Sequence, residues 1–287
     1  MRFITYQSSV GPRVAGVRAD GYIDLHATDP AIPPSLKHLL EQGPAALERA
    51  RAAITKGAPI APDVKILPPI PDPEKIICIG LNYADHAAET GAKIPGEPVI
   101  FNKFLTALRA HGDDIVLPKV SQEVDYEAEL VAVIGKTARH VSRETAYEYV
   151  AGYACGHDVS ARDWQKGKPG NQWLLGKSFD SFAPLGPQLV TADEVGDPGV
   201  LDIQLRLNGQ VMQKSTTRQL IFAVDYLVAY LSQCVTLKPG DLIYTGTPPG
   251  VGMARTPPVW MKPGDVVEIE IEKIGLLRNN VVAERIH

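Results

Sequence analysis

A cluster of carboxylates leads into an apolar segment between Glu123 and Gly135, in the sequence EVDYEAELVAVIG. We predict one strand here, and because side chains alternate across a strand, its acidic residues share a face: Glu123, Asp125, Glu127 and Glu129. Residues 130–134 are wholly apolar, so the acidic end lies at the mouth of a core. Clustered carboxylate oxygens suit a hard cation such as Mg²⁺, Mn²⁺ or Ca²⁺, although an acidic strand end facing water has the same pattern.

A third carboxylate for such a site follows in the segment ACGHDVSARDWQ. Asp158 comes after a run of apolar and small residues, and we predict that it projects from a neighbouring strand. Two Glu at i,i+2 plus this Asp would leave coordination positions open for water and substrate. An ordinary ion pair between Asp158 and Arg162 is the alternative.

A histidine and a glutamate share a face of a short predicted helix. We expect a buried strand over residues 76–79 and a helix over about 82–90 that is ended by Gly91. His86 and Glu89 lie three positions apart, and a carboxylate beside an imidazole fixes its tautomer and raises its basicity, as a general base requires. A surface histidine with an incidental partner has the same spacing.

A lysine lies among apolar residues in the segment KGKPGNQWLLGKSFDSFAPLGP. Lys177 follows Leu174 and Leu175 and precedes Phe179, so we do not expect it to face only solvent. Near a metal it would hold an oxyanion or a substrate carboxylate. The alternative is a structural lysine that extends its charged end to water.

Composition favours a globular protein with small-molecule partners. The chain has 287 residues and a net charge of -4, and it lacks the runs of like charge that are typical of nucleic-acid binding. Its three cysteines are far apart and contain no CxxC pair, so they fit neither a disulfide framework nor a zinc site. We therefore expect a cytoplasmic protein, with no signal peptide and no membrane segment.

The chain divides at a Pro-rich stretch, ILPPIPDP, over residues 66–73. Residues 1–70 read as a small α/β domain with its linker, and residues 71–287 as the domain that holds the reactive side chains. We predict a helix over residues 142–153 and a second, largely buried helix over residues 221–234.

The C-terminal third is rich in predicted strands. A hairpin turns at Asn208-Gly209, and KPGD turns at residues 238–241 and 262–265 each lead into a strand, which points to a roll or barrel-like sheet. The loop TGTPPGVGMARTPP contains Gly-x-Gly, but prolines soon after exclude the helix that a nucleotide-binding motif must open. We expect this loop to offer Thr245, Thr247 and backbone amides to a small acid.

Five motifs in order resemble the fumarylacetoacetate hydrolase family: GLNYADHAAE, DYEAELVAVIG, GHDVSARDWQ, GKSFDSFAPLGP and YTGTPPGVG. The resemblance covers roughly residues 72–285. It implies an α+β, β-rich fold, a mixed β-sandwich roll with a small N-terminal α/β domain, and a homodimer.

The resemblance also implies roles for individual residues. It makes Glu127, Glu129 and Asp158 the ligands of Mg²⁺ or Mn²⁺, with Ca²⁺ as a substitute in crystals. It implies that the catalytic residues are His86 and Glu89, on a lid, and Lys177. The substrate-binding residues would be Gln165, Arg162 and Thr247. Many relatives have Lys-Pro where this chain has Lys103-Phe104, which leaves the role of Lys103 open.

The implied reaction is hydrolysis of a carbon-carbon bond in a 1,3-diketo acid resembling an acylpyruvate. A cation that binds two oxygens of such an acid stabilises the enolate that forms on cleavage, while His86 activates water and Lys177 balances the oxyanion. Decarboxylation of oxaloacetate and isomerisation of dienedioates use the same enolate and remain alternatives. A structural cation-binding module is disfavoured, because the chain has no DxDxDG loop.

Overall fold

β-Strands dominate the computed structural model, which describes residues 1–285. The strands are β1 (Arg2–Ser8), β2 (Gly11–Arg18), β3 (Gly21–Asp24), β4 (Ile66–Leu67), β5 (Ile76–Gly80), β6 (Val99–Asn102), β7 (Leu108–Arg109), β8 (Ile115–Leu117), β9 (Val124–Asp125), β10 (Ala128–Ile134), β11 (Val150–His157), β12 (Ser160–Ala161), β13 (Ala183–Thr191), β14 (Asp202–Leu207), β15 (Gln210–Thr216), β16 (Leu242–Tyr244), β17 (Val266–Ile271) and β18 (Gly275–Ala283).

The helices are short and lie outside the sheets. The α-helices are α1 (Leu25–Thr28), α2 (Leu36–Glu41), α3 (Pro44–Lys56), α4 (Ala84–Thr90), α5 (Arg162–Gln165), α6 (Leu174–Lys177), α7 (Ala192–Val195) and α8 (Val224–Cys234). Single 3₁₀ turns or short 3₁₀ helices span Leu105–Ala107, Arg143–Tyr149, Pro169–Asn171, Pro198–Val200, Thr217–Gln219 and Gly252–Ala254.

Two mixed sheets pack against each other to form the core. The 11-stranded sheet runs β3-β2-β1-β13-β11-β10-β16-β5-β6, with β4 and β7 paired at its side, and the five-stranded sheet runs β15-β14-β17-β18-β8. Strands β11 and β13 contact β17 and β18 across the layers. Within residues 1–285 neither sheet closes into a barrel. The predicted β-rich α+β fold is therefore confirmed.

The acidic segment does not form the single strand that we predicted. It forms β9, which pairs with β12, and then β10, which lies between β11 and β16. The carboxylate of Asp125 accepts hydrogen bonds from the backbone of Gly252 (2.7 Å) and Met253 (3.0 Å), so it is drawn to a loop and away from the other acids. The strand is broken at residues 126 and 127, where the hydrogen bonds of Asp125 to this distant loop outweigh the alternating pattern.

The N-terminal strands continue the sheet of the larger segment. Strand β1 pairs antiparallel with β13 at Arg2–Val190 and Phe3–Leu189, and it also pairs with β2 and β4. Helices α2 and α3 agree with the α/β character predicted for residues 1–70. Division of the chain into folding units at residue 70 stays a prediction.

The helix predicted over residues 142–153 is wrong in its second half. A 3₁₀ helix covers Arg143–Tyr149, and β11 begins at Val150. Strand β11 pairs with β10 on one side and β13 on the other, so tertiary pairing overrides the local helical pattern. The hairpin prediction is confirmed, since Asn208 (φ 53°) and Gly209 (φ 80°) form the turn between β14 and β15.

Helix α4, which carries the predicted lid residues, ends as expected at Gly91 in the left-handed region (φ 63°).

Among the described residues, no helix combines the length and the apolar character that a membrane crossing requires.

Candidate active site

Three buried carboxylates meet where β10 begins and β11 ends. In this antiparallel pair Ala128 lies opposite His157, and the backbone of Asp158 donates to the carbonyl of Glu127 (3.0 Å). One oxygen from each of Glu127, Glu129 and Asp158 lies within 4.8 Å of the other two. The pairing register thus brings together the acids that the sequence predicted, and an all-oxygen donor set fits a hard divalent cation.

The electrostatics of the three acids are uneven. Burial would raise the pKa of Glu127, but Lys177 and Arg162 hold it well below its ordinary value. Burial, reinforced by Asp158 and Glu127, raises the pKa of Glu129 well above its ordinary value. A bound cation beside Glu129 would remove this conflict, so the cluster fits a metal ion electrostatically as well as by donor type.

Lys177 bridges two of the acids. Its Nζ donates to Glu127 Oε2 and to Asp158 Oδ2, both at 2.8 Å. Burial would lower the pKa of Lys177, but Asp158 and Glu127 raise it above its ordinary value. Lys177 is therefore a charged hydrogen-bond donor at the site and not a base.

Lys103, whose role the sequence left open, lies beneath the acidic cluster. Its Nζ is 2.6 Å from Asp158 Oδ1 and donates to the carbonyls of Val159 (3.0 Å), Phe182 (2.8 Å) and Lys177. The side chain is fully buried. Lys103 thus fixes one acid of the cluster and the backbone of Lys177.

Substitution of Lys103 by Met is expected to destabilise the fold by about 3–5 kcal/mol, because it leaves Asp158 with one buried charge partner fewer and removes the Nζ donor from three carbonyls. Urea unfolding of the variant measures this loss. Lys65→Met is the control, since Lys65 is 65 % exposed and 3.7 Å from Asp113. Equal stability of the two variants would contradict this role.

Helix α4 holds the predicted His86–Glu89 pair above the cavity. The Nδ1 atom of His86 is 3.0 Å from Glu89 Oε2, and the other carboxylate oxygen of Glu89 accepts from the backbone of Gly250 (2.9 Å). His86 is buried. Because Glu89 engages Nδ1, the Nε2 atom of His86 is the one available for proton transfer.

Two glycines in the loop over residues 245–254 allow this loop to approach the site. Gly246 donates its backbone N–H to Glu129 Oε2 (2.8 Å), and a Cβ there would lie 2.8 Å from Cβ of Asn82. Gly250 has φ 100°, and a Cβ there would lie 2.1 Å from the carbonyl of Met212. Neither position accepts a side chain, and both backbone amides orient site carboxylates.

Arg162 organises neighbouring side chains. It donates to Asp125 Oδ2 (2.8 Å), to Gln165 Oε1 (2.9 Å) and to Glu127 Oε1 (2.6 Å). It forms no ion pair with Asp158, so the alternative pairing considered from the sequence is not formed. Arg162 orients Glu127 and the predicted substrate-binding residue Gln165.

The hydroxyl of Thr247 is held by the protein. It donates to the carbonyl of Ala128 (2.9 Å) and accepts from Gln213 (2.9 Å), so it has no proton left for a substrate. Thr245, also predicted to face a ligand, is fully buried and donates to the carbonyl of Leu130 (2.8 Å). Only Thr247 borders the cavity.

A cavity of about 330 Å³ opens above the acids. Seven of the predicted site residues line it: His86, Glu127, Glu129, Arg162, Gln165, Lys177 and Thr247. The sequence analysis did not identify Phe101 and Lys166 as lining residues. Trp173 packs edge-on against Phe101 (5.4 Å between centroids), and Lys177 Nζ lies 5.0 Å from the Phe101 ring centroid.

The chain is similar to known proteins over most of its length. A family model described as "Fumarylacetoacetate (FAA) hydrolase C-terminal" matches residues 75–282. A Bos taurus protein named oxaloacetate tautomerase FAHD2A, mitochondrial, is 48% identical over 98% of this chain and 92% of its own length.

Two solved structures show the same architecture. Fumarylacetoacetate hydrolase from Exiguobacterium antarcticum superimposes with a TM-score of 0.87 at 34% identity, covering 99% of this chain and 100% of that one. Maleylpyruvate hydrolase from Sphingobium sp. SYK-6, in complex with manganese(II) and pyruvate, gives a TM-score of 0.83 at 33% identity with the same coverage.

The expectation of a cytoplasmic protein is wrong. Relatives from Bos taurus, Xenopus laevis and Homo sapiens that are 47–49% identical over 98% of this chain are named as mitochondrial proteins. The three cysteines are indeed free, with Cys78 and Cys155 buried and Cys234 exposed.

Proposed function

Because the chain belongs to the fumarylacetoacetate hydrolase family, we propose that it interconverts the enol and keto forms of oxaloacetate or a close analogue, with a divalent cation as cofactor. One observation carries the proposal: a buried Glu-Glu-Asp cluster faces a histidine, itself oriented by a carboxylate, across a single cavity. The similarity to a protein named oxaloacetate tautomerase supports the choice of reaction.

Each residue has a task in such a reaction. Glu127, Glu129 and Asp158 would hold Mg²⁺ or Mn²⁺, which supplies Lewis-acid polarisation of the 2-oxo acid. His86 takes a proton from C3 through Nε2, with Glu89 stabilising the imidazolium that forms. Lys177 stabilises the negative charge on the C2 oxygen, and return of the proton to that oxygen completes the enol.

Hydrolysis of a carbon-carbon bond is the second candidate. It is supported by the maleylpyruvate hydrolase, a 33% identical relative whose structure is a complex with both manganese(II) and pyruvate, a 2-oxo acid. The His86–Glu89 pair that serves tautomerisation would equally activate a water molecule. Tautomerisation is preferred because the relative named for it is more similar, at 48% against 33% identity.

Parallel assays separate the candidates. With Mg²⁺ or Mn²⁺ present, we expect the protein to accelerate decay of the enol absorbance of oxaloacetate while leaving acetylpyruvate uncleaved and releasing little pyruvate from oxaloacetate. Removal of the metal with EDTA should abolish the acceleration. Rapid cleavage of acetylpyruvate without any effect on the oxaloacetate enol would establish the hydrolase instead, and pyruvate release as the main activity would establish a decarboxylase.

The homodimer implied by the family resemblance stays part of this proposal. Light scattering coupled to size-exclusion chromatography measures it directly, with a mass of twice 31.1 kDa expected.

A further inference from the structure

One cation at the rim of the cavity has no counter-charge. Lys166 directly follows α5, is exposed, and borders the cavity beside Gln165 and Trp173. Within residues 1–285 its Nζ takes part in no hydrogen bond or ion pair. The other two cations that border the cavity, Arg162 and Lys177, are both ion-paired with buried carboxylates.

The fixed charges below the cavity limit what it can bind. Four buried carboxylates face three buried cations: Asp125, Glu127, Glu129 and Asp158 on one side, and Lys103, Arg162 and Lys177 on the other. With all four carboxylates ionised, as a bound cation favours, a divalent cation changes this excess of one negative charge into an excess of one positive charge. One substrate carboxylate then neutralises the site.

A second substrate carboxylate therefore needs a further cation. Binding a carboxylate without a counter-charge in a partly desolvated cavity is unfavourable in free energy. A neutral His86 with an ionised Glu89 would add a negative charge from the lid and repel that carboxylate further. Most other lining residues carry no charge, among them Ile79, Leu81, Ala92, Phe101 and Met253. Lys166 is the one cation on the cavity lining that is free to meet this need.

We propose that Lys166 binds the distal carboxylate of a dicarboxylic 2-oxo acid and gives the enzyme its preference for such acids over monocarboxylic ones. The inference rests on the proposed function in that it takes a 2-oxo acid as the ligand of the site. A flexible lysine suits the task, because its ammonium is a compact charge that reaches over the ligand from the rim.

Lys166→Gln tests this role against a matched control. Lys168→Gln removes the same charge two residues away, where Nζ lies over the Trp164 ring (4.4 Å to the centroid) and not on the cavity lining. We expect Lys166→Gln to lower kcat/KM for oxaloacetate about 10- to 100-fold, mainly through KM, as loss of a charged hydrogen bond does. Hydrogen-deuterium exchange at C3 of 2-oxobutyrate, which has a methyl group in place of the carboxylate, should not change.

Binding measurements separate this inference from the proposed reaction. Calorimetry with Mg²⁺-loaded protein compares malate with 2-hydroxybutyrate, an unreactive pair that differs in the same carboxylate. Lys166→Gln should weaken the binding of malate but not of 2-hydroxybutyrate, and Lys166→Arg should retain the affinity for malate. Lys168→Gln should bind both ligands as the wild type does. Equal weakening of both ligands, or of neither, would overturn the role of Lys166. Selective weakening of malate in a protein without tautomerase activity would uphold Lys166 and reject the proposed reaction.

Discussion

Glu129→Gln is expected to abolish turnover and to weaken binding of Mg²⁺ or Mn²⁺ by at least about 100-fold. Loss of a residue that only hydrogen-bonds a metal ligand lowers metal affinity by up to about 100-fold, so loss of a ligand itself should lower it at least as much. The amide retains an oxygen that can accept from Gly246 N (2.8 Å) but removes the negative charge that the cation requires. Titration with Mn²⁺ followed by electron paramagnetic resonance measures the affinity, and circular dichroism verifies the fold.

Glu129 is a cleaner test than Glu127. Glu127 also pairs with Arg162 and Lys177, so its substitution would disturb two cations as well as the metal site. Glu123→Gln is the matched control, because Glu123 belongs to the same acidic segment but lies outside the cluster. Normal manganese binding by Glu129→Gln would place the metal elsewhere.

His86→Ala is expected to lower kcat by about 10²–10⁴, the range usual for removal of a general base, while leaving metal affinity unchanged. We expect this because the two groups lie on different elements. His86 lies on α4 and pairs with Glu89, whereas the oxygens proposed to bind the cation come from residues at the ends of β10 and β11. Initial rates with oxaloacetate and manganese titration of the same sample test both parts.

His38→Ala is the control for His86→Ala, since His38 is exposed on α2. Glu89→Gln should retain more activity than His86→Ala, because the imidazole remains and only its orientation and basicity are impaired. If His86→Ala lost its metal, His86 would have to be a ligand, and the proton-transfer role would be wrong.

Local pattern pointed to the acidic centre, and the family resemblance selected its three carboxylates from the acidic segment and from residue 158. Glu127 and Glu129 share a face because they lie two positions apart, and this short-range geometry holds even though the strand begins only at Ala128. Asp158 joins them through the pairing of β10 with β11, which the sequence implied only as a neighbouring strand. The His86–Glu89 pair follows from helical spacing alone.

Long-range polar contacts explain what the sequence did not predict. Lys103 reaches Asp158 across 55 positions of the chain, a partnership that no periodicity encodes. Arg162 pairs with Asp125 and Glu127 and not with Asp158, which is nearer in the sequence, because those two carboxylates lie on its side of the folded site. The break in the predicted strand at residues 126 and 127 likewise depends on hydrogen bonds from backbone amides that lie more than 120 residues later in the chain.

The lysines and the glycine amide that surround the acids have a consequence for how the cofactor is exchanged. Lys103, Lys177 and the N–H of Gly246 hold Asp158, Glu127 and Glu129 through bonds within the protein itself. The polypeptide itself thus positions the three carboxylates, so a bound ion would be able to leave and be replaced without the site having to assemble again. The identity of the working metal would then follow the relative supply of magnesium and manganese around the protein, and enzyme made under one supply would adapt to another without new synthesis.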